Sequence, residues 1–232
     1  MQKLKFEIRR QPDPTTCGPT SLHAVYRYFG DMIPLSEVIA GVPEISGGGT
    51  LAVHLACHAL KRGYRTTIFP YNLQVFDPTW AGVAPSKIAA RLKRQLALKQ
   101  GVQEIGVTTD AYLDYLSLGG GLRFEVMRPA MIRRYLKRSL PILVGLSATY
   151  LYNSAREYDI GQGPVYDDVQ GYPAGHFVVL SGYDAHSRRV QIADPYTPDR
   201  YYAVDIYRLI CSIMLGTLTY DGNILIIHRK NK

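Results

Sequence analysis

Cysteine is scarce in this chain of 232 residues, which has only Cys17, Cys57 and Cys211. The three cysteines are odd in number and far apart, so they argue against a disulfide scaffold and favour free thiols in a reducing compartment. No apolar run reaches the roughly 18 residues that a transmembrane helix needs. The N-terminus, MQKLKFEIRRQPDPTTCG, lacks the apolar stretch of a signal peptide. We therefore expect a soluble, cytoplasmic protein without a membrane segment.

Motifs for several common chemistries are also missing. No G-x-S-x-G nucleophile elbow occurs, which argues against a serine hydrolase. The glycine-rich SGGGT at 46–50 lacks the lysine and spacing of a phosphate-binding loop and is interpreted as a flexible turn. His54 and His58 lie one helical turn apart, with Cys57 between them, but no second pair of metal ligands follows nearby. Helix packing is therefore the preferred interpretation over zinc, and we expect neither a metal nor an organic cofactor.

The chain is basic, with a formal net charge of +8 and a pI near 9.3. Such a charge is compatible with acidic partners or nucleic acid. The basic residues are dispersed, however, apart from Arg133, Arg134, Lys137 and Arg138, which have helical spacing. This patch is interpreted as a solvated helix face, so we expect no nucleic-acid partner.

Composition and pattern predict a single domain over residues 1–232 with segregated helices and strands. Hydrophobic residues make up 47% of the chain, which is enough for a buried core. Residues 1–140 are mainly helical and residues 141–232 mainly β, which favours an α+β fold. Helices are predicted at 17–29, 51–61, 86–100, 109–118 and 129–139. Strands are predicted at 1–8, 64–69, 141–147, 176–183, 189–194 and 223–228.

A long segment at 148–175 separates two of the predicted strands and contains five tyrosines and four glycines. Segments of this length between strands are usually functional or mobile, although surface elaboration is an equal alternative. Asp167 and Asp168 lie within it. They are candidates to bind a basic substrate side chain, but solvated loop acids are the preferred interpretation.

Cys17 stands apart from the other cysteines because it lies at the predicted start of a helix, after a turn rich in Pro and Thr. The positive end of a helix dipole stabilises a thiolate, which is the reactive form of cysteine. Thr15 or Thr16 is expected to cap this helix. Cys57 and Cys211 lie in apolar surroundings and are interpreted as packing residues.

Three further residues complete a possible nucleophilic site. Gln11 precedes Cys17 by six residues, so its amide can reach back to form an oxyanion hole with the Cys17 N–H. His176 opens the apolar run FVVLSGY at the edge of a strand, where an imidazole can accept the thiol proton. Asp194 ends the next predicted strand. If 176–183 and 189–194 form a hairpin, its carboxylate returns beside His176 and fixes the imidazole tautomer.

Two segments carry a family resemblance. QPDPTTCGPTSLHAVYRYFG resembles the active-site segment of papain-like cysteine peptidases, and GHFVVLSGYDAHSRRVQIADPY resembles their histidine and aspartate segment. Both are most similar to the bacteriocin-processing branch, whose members remove leader peptides after a double glycine. The resemblance implies a papain-like fold with a helical lobe packed on an antiparallel sheet. It also implies Cys17 as nucleophile, His176 as base, Asp194 as orienting residue and Gln11 in the oxyanion hole.

The implied function is a stand-alone cysteine peptidase that hydrolyses a peptide bond in a peptide or protein substrate. Two alternatives use the same scaffold. A thioester-forming enzyme of another kind would be either a transpeptidase, which passes the acyl group to an amine or thiol, or an amidase, which hydrolyses a small amide. A non-catalytic domain would instead bind leader peptides without cutting them. The presence of Cys17, His176 and Asp194 argues against the second. The sequence indicates no oligomeric state.

Overall fold

Helices and strands form close to most of the predicted positions. The computed structural model describes residues 2–99, 101, 103–160, 163–219 and 222–230. Within them the α-helices are α1 (Cys17–Tyr28), α2 (Leu35–Gly41), α3 (Ala52–Lys61), α4 (Pro85–Leu98), α5 (Gln103–Ser117), α6 (Pro129–Lys137), α7 (Ala148–Tyr152) and α8 (Ile206–Leu215). The strands are β1 (Gln2–Lys3), β2 (Tyr64–Pro70), β3 (Gly121–Leu122), β4 (Ile142–Ser147), β5 (Glu157–Asp159), β6 (Pro164–Tyr166), β7 (Gly175–Asp184), β8 (Arg189–Ala193), β9 (Tyr201–Asp205) and β10 (Asn223–Arg229).

One sheet dominates the molecule. Its strand order is β3-β2-β10-β4-β7-β8-β9, and β1 pairs with the far end of β7. Every pairing is antiparallel except that between β2 and β3. The central strands β4 and β7 are buried along almost their whole length, as their continuous apolar sequences require. Helix α3 packs against β2, α1 against β7 and α8 against β4. The predicted α+β class is confirmed.

The predicted strand at 1–8 is only partly correct. Met1 lies outside the described residues, and regular pairing is confined to β1. Leu4, Phe6 and Ile8 are buried, so the alternating pattern identifies the inward face correctly. The Leu4 N–H donates to the Ser181 carbonyl of β7 and so extends this pairing by one residue, whereas the Ile8 N–H donates to the Tyr201 hydroxyl. Beyond Leu4 the segment keeps the period of two in its burial but is not part of a strand.

Other differences concern helix boundaries. Helix α5 begins at Gln103, six residues before the predicted start, and α4 ends at Leu98. The predicted end of α4 at Gln100 lies outside the described residues. The predicted threonine cap is also wrong, since Thr16 occupies the N-cap position without a capping bond and donates to the Asp13 carbonyl instead.

Two surface features bear on earlier interpretations. On α6, Arg134 and Lys137 are exposed, and Arg134 forms an ion pair with Glu125 at 2.9 Å, so this patch is a solvated helix face. Among the helices in the described part of the chain, none has the length and apolar character needed to span a membrane.

Candidate active site

The turn before α1 fixes the position of Cys17. The carboxylate of Asp13 accepts hydrogen bonds from the N–H and the hydroxyl of Thr15, both at 2.9 Å. Helix α1 then begins at Cys17 itself, so the Cys17 amide belongs to the first turn, where N–H groups have no intrahelical acceptor. Cys17 is 8% exposed. A nearly buried thiol at the positive end of a helix is placed for thiolate chemistry.

Helix α1 lies unusually close to its neighbours at Gly18. A Cβ atom at this position would lie 2.7 Å from Thr50 Cγ2 and 3.2 Å from the Phe177 ring. One turn further, the Ser21 hydroxyl donates to the Phe177 carbonyl at 3.2 Å. Phe177 directly follows His176 in β7. The glycine therefore lets α1 approach the strand that carries the histidine.

The hairpin predicted between 176–183 and 189–194 exists as β7 and β8. Its register pairs Val179 with Ala193, which places Asp194 opposite Val178. Val178 and His176 are two residues apart and share one face of the sheet, so Asp194 is the diagonal neighbour of His176 on that face. The His176 Nε2 and the Asp194 Oδ1 are 2.8 Å apart, and both side chains are buried.

Four donors converge on the Asp194 carboxylate. Oδ1 accepts from His176 Nε2 and from the backbone N–H of Tyr196 at 2.9 Å. Oδ2 accepts from the hydroxyls of Tyr152 at 2.7 Å and Tyr202 at 2.6 Å. Burial alone raises the pKa of Asp194, but the bonds from His176, Tyr202 and Tyr196 lower the pKa to about 2. The group is therefore a permanent anion at neutral pH.

His176 lies between this anion and Cys17. Burial lowers the pKa of His176, but the facing Cys17 sulfur and the Asp194 carboxylate outweigh it and raise the pKa to about 10. Because Nε2 is committed to Asp194, Nδ1 is the nitrogen left for Cys17. The structure thus brings three of the four predicted residues into one chain of contacts, Cys17 to His176 to Asp194.

Gln11 lies in the loop that precedes this group and is buried. Its backbone N–H donates to the Pro195 carbonyl at 3.0 Å, which ties the loop to the residue after Asp194. Its side-chain Nε2 donates to the Asp13 carbonyl at 2.8 Å. An amide NH₂ carries two hydrogens, so this bond orients the group and leaves the second hydrogen free to donate. The bond holds the Gln11 side chain against the Asp13 turn, which leads directly into Cys17.

Three tyrosines of the site were not predicted. Tyr152 ends α7 and Tyr202 lies on β9, where it pairs with Ile192. The rings of Tyr152 and Tyr196 lie 6.1 Å and 6.0 Å from the His176 ring, so aromatic groups enclose the imidazole. The concentration of five tyrosines in 148–175 was a sequence feature that could have identified Tyr152 as part of the site. Tyr202 could not be predicted, because its contact with Asp194 depends on the pairing of β8 with β9, which the sequence does not indicate.

The segment at 148–175 contains α7 and the β5–β6 hairpin. Its ends are tied together because the Ala148 N–H donates to the Ala174 carbonyl at 2.8 Å. Asp167 accepts from the N–H groups of Val169 and Gln170, both at 2.7 Å, which makes it a turn-capping residue. Asp168 is exposed, as predicted for a solvated loop acid.

The remaining candidates lie away from this site. His58 Nδ1 shares a hydrogen bond with the Tyr26 hydroxyl at 2.8 Å, and His54 lines the same cleft of about 630 Å³ between α3 and α5. In the described residues no group of three or more side chains could hold a metal ion. Cys57 is buried, as predicted, and burial raises the pKa of its thiol to about 11. The prediction for Cys211 was wrong, because it lies on the exposed face of α8.

Comparison with known proteins supports the resemblance stated above. The sequence model of the Peptidase_C39 like family matches residues 108–212, a range that contains His176 and Asp194 and covers just under half of the chain. The predicted resemblance to the bacteriocin-processing branch of papain-like cysteine peptidases is thereby confirmed. None of the curated proteins matches the chain significantly by sequence.

Three solved structures align with nearly the whole chain. A C39-like peptidase from Bacillus anthracis is 13% identical, with a TM-score of 0.51 and coverage of 100% of both chains, and shares the fold. The peptidase domain of Streptococcus ComA, a bifunctional ABC transporter of quorum sensing, is 13% identical with a TM-score of 0.45, covering 99% of this chain and 100% of its own. A double glycine motif protease from an AMS/PCAT transporter, in complex with a leader peptide, is 15% identical with a TM-score of 0.48, covering 98% and 94%.

Proposed function

We propose that this protein is a cysteine peptidase in which Cys17 is the nucleophile, His176 the general acid and base, and Asp194 the residue that orients the imidazole. The main support for the proposal is the series of contacts from Cys17 through His176 to Asp194. A thiol at a helix start faces a buried imidazole, and that imidazole is bonded at 2.8 Å to a carboxylate. This is the nucleophile, base and orienting group that acyl transfer requires.

The first half of the reaction forms a thioester. The Cys17 thiolate, stabilised by the His176 imidazolium and the start of α1, attacks the carbonyl carbon of the scissile peptide bond. The negative charge that develops on the carbonyl oxygen is held by the Cys17 N–H and the free Nε2 hydrogen of Gln11. His176 then donates its Nδ1 proton to the leaving amine, and the C–N bond breaks.

The second half releases the acid product. Neutral His176 accepts a proton from water, the resulting hydroxide attacks the thioester, and Cys17 leaves as a thiolate. Throughout both halves Asp194 remains ionised and keeps the Nε2 hydrogen bonded, so Nδ1 alone exchanges protons with the substrate. Free cysteines throughout the chain fit a reducing compartment such as the cytoplasm, where the thiol survives.

Leader peptides with a double glycine are the first substrates to test, because the two motif segments resemble the branch that cuts such peptides. A mixture of peptides carrying Gly-Gly and other dipeptides should be incubated with the wild type and analysed by mass spectrometry. We expect cleavage that disappears in Cys17→Ala and His176→Ala. Asp194→Ala should keep partial activity, since losing orientation costs less than losing the nucleophile.

Cys211→Ser is the matched control, because it removes an exposed thiol that has no role in the proposed reaction and should cleave like the wild type. Products with a free carboxylate identify hydrolysis, whereas ligation to an added amine identifies a transpeptidase. Equal cleavage by Cys17→Ala and the wild type would show that the proposed nucleophile is wrong.

A further inference from the structure

The segment at 148–175 has a charge opposite to that of the rest of the chain. It contains one arginine and four acids, with no lysine or histidine, in a protein of net charge +8. Its only arginine, Arg156, donates to the carbonyls of Asp168 and Val169 and is therefore committed to the turn. With one positive and four negative side chains, the segment that borders His176 has a net formal charge of −3, and the charge of Glu157 interacts with that of His176.

The position of Glu157 is fixed relative to His176 by the backbone. The Glu157 N–H donates to the Tyr172 carbonyl at 3.0 Å, and the Tyr172 N–H returns a bond to the Glu157 carbonyl at 2.8 Å. Tyr172 lies four residues before His176, and the intervening Ala174 is bonded to Ala148. The first residue of β5 is therefore bonded to the short segment that leads into β7 and His176.

The pairing of β5 with β6 gives the direction of the Glu157 side chain. Glu157 lies directly opposite Tyr166, so the two side chains share one face of the hairpin. The nearby Tyr196 hydroxyl raises the pKa of Tyr166, so the two side chains lie close together. The Tyr196 ring in turn lies 6.0 Å from the His176 ring, at a near-perpendicular angle of 71°. Glu157 therefore lies on the face of the hairpin that is turned toward the imidazole.

The Glu157 carboxylate is half-buried and lacks a cation of its own. Among the described residues no lysine or arginine forms an ion pair with it. Partial burial raises its pKa, the charge of His176 lowers it, and the neighbouring Asp159 raises it again. A partly desolvated carboxylate beside a second acid is a favourable place for a cation from outside.

We propose that Glu157, with the rings of Tyr166 and Tyr196, forms a subsite that binds a lysine or arginine side chain of the peptide substrate close to the scissile bond. The proposal rests on the function proposed above. Tyr166 is 52% exposed and Tyr196 42% exposed, so their ring faces are available to a cation. Carboxylate and aromatic rings together recognise an alkylammonium or guanidinium group by charge and by cation–π attraction.

The test uses N-acetylated peptide chloromethyl ketones that end in Gly-Gly and alkylate Cys17. Lys, norleucine or Glu is placed at each of the two positions before the glycines, and acetylation removes the competing terminal amine. We expect the Lys probe at one position to label Cys17 about tenfold faster than its norleucine counterpart. The preference should vanish in Glu157→Gln and reverse toward the Glu probe in Glu157→Lys. Asp168→Asn, which removes an exposed acid of the same segment, should keep it.

The possible outcomes separate the subsite from the reaction. If the peptide probes label Cys17 rapidly but Lys, norleucine and Glu react equally, the subsite is refuted and the peptidase proposal stands. A Lys preference that persists in both Glu157 variants also refutes the subsite, because another group then binds the cation. If every peptide probe labels Cys17 no faster than Cys211, the proposed function fails and the subsite fails with it.

Discussion

At the scale of single residues, the carboxylate of Asp194 is the most completely bonded group in the site. It accepts from one imidazole, one backbone amide and two tyrosine hydroxyls. Each donor favours the charged form, and together they overcome the burial that opposes it. The carboxylate therefore stays ionised while it holds the His176 ring through Nε2.

Protonation of Asp194 should destabilise the fold in acid. The pKa of this group is about 2 in the folded chain, below its ordinary value of 3.8, so its ionisation stabilises the native state fully above pH 3.8. This contribution, roughly 2 kcal/mol from the size of the shift, is lost as the pH falls through about 2. Urea unfolding of the wild type and Asp194→Asn between about pH 5 and pH 2 measures it.

Asp194→Asn has no carboxyl group to protonate at this position. As the pH is lowered, its free energy of unfolding should therefore decrease less steeply than that of the wild type. Asp168→Asn serves as the control, since it removes an exposed carboxyl and should follow the wild-type curve. Parallel curves for the wild type and Asp194→Asn would mean that Asp194 gains nothing from its donors on folding.

At the scale of elements, the packing of α1 on β7 brings the thiol to the imidazole. The approach depends on Gly18, where a side chain would meet Thr50 and Phe177, and on the bond from Ser21 to Phe177. Because Cys17 and Gly18 are adjacent in α1, a displacement of the helix by a few tenths of an ångström also displaces the sulfur. The glycine after the cysteine is therefore a packing requirement of the site.

Gly18→Ala should destabilise the protein by about 1–3 kcal/mol, because the added methyl overpacks the helix interface. Gly106→Ala is the matched control, since Gly106 also lies within a helix but a Cβ there meets nothing within 4 Å. Helix propensity favours alanine at both positions by about 1 kcal/mol, so the difference between the two variants isolates the crowding.

Urea unfolding gives both values. We expect Gly106→Ala to be at least as stable as the wild type and Gly18→Ala to be less stable. Equal stability of the two variants would show that α1 can move away from β7 without cost.

At the scale of the whole molecule, the sequence was most informative where local chemistry decides the structure. The periodic apolar residues of α1, α3 and α4, the continuous apolar runs of β4 and β7, and the glycines after α1 and α3 predicted these elements within a few residues. The turn between β7 and β8 predicted their hairpin, and the hairpin in turn predicted that Asp194 lies beside His176.

Long-range pairing was not visible in the same way. The bonds of Tyr152 and Tyr202 to Asp194 depend on how α7 and β9 meet β8, which no local pattern encodes. Strand β2, which ends at Pro70, joins the sheet beside β10, which begins only at Asn223, and the N-terminal segment pairs with β7 only through β1. Exposure of Cys211 likewise follows from the packing of α8 and not from its apolar neighbours.

The central claim is that Cys17, His176 and Asp194 act as one reactive group, and the pH dependence of alkylation tests it most directly. Iodoacetamide labelling, resolved by mass spectrometry, compares Cys17 with exposed Cys211 and with buried Cys57, whose pKa of about 11 makes it a slow reference. His176 has a pKa of about 10, so it is an imidazolium beside the sulfur at about pH 6.

We expect Cys17 of the wild type to be labelled faster than Cys211 at about pH 6, and His176→Ala to abolish this advantage while leaving Cys211 unchanged. Labelling of Cys17 no faster than Cys211 at every pH, with identical profiles in His176→Ala, would show that the three residues do not act together.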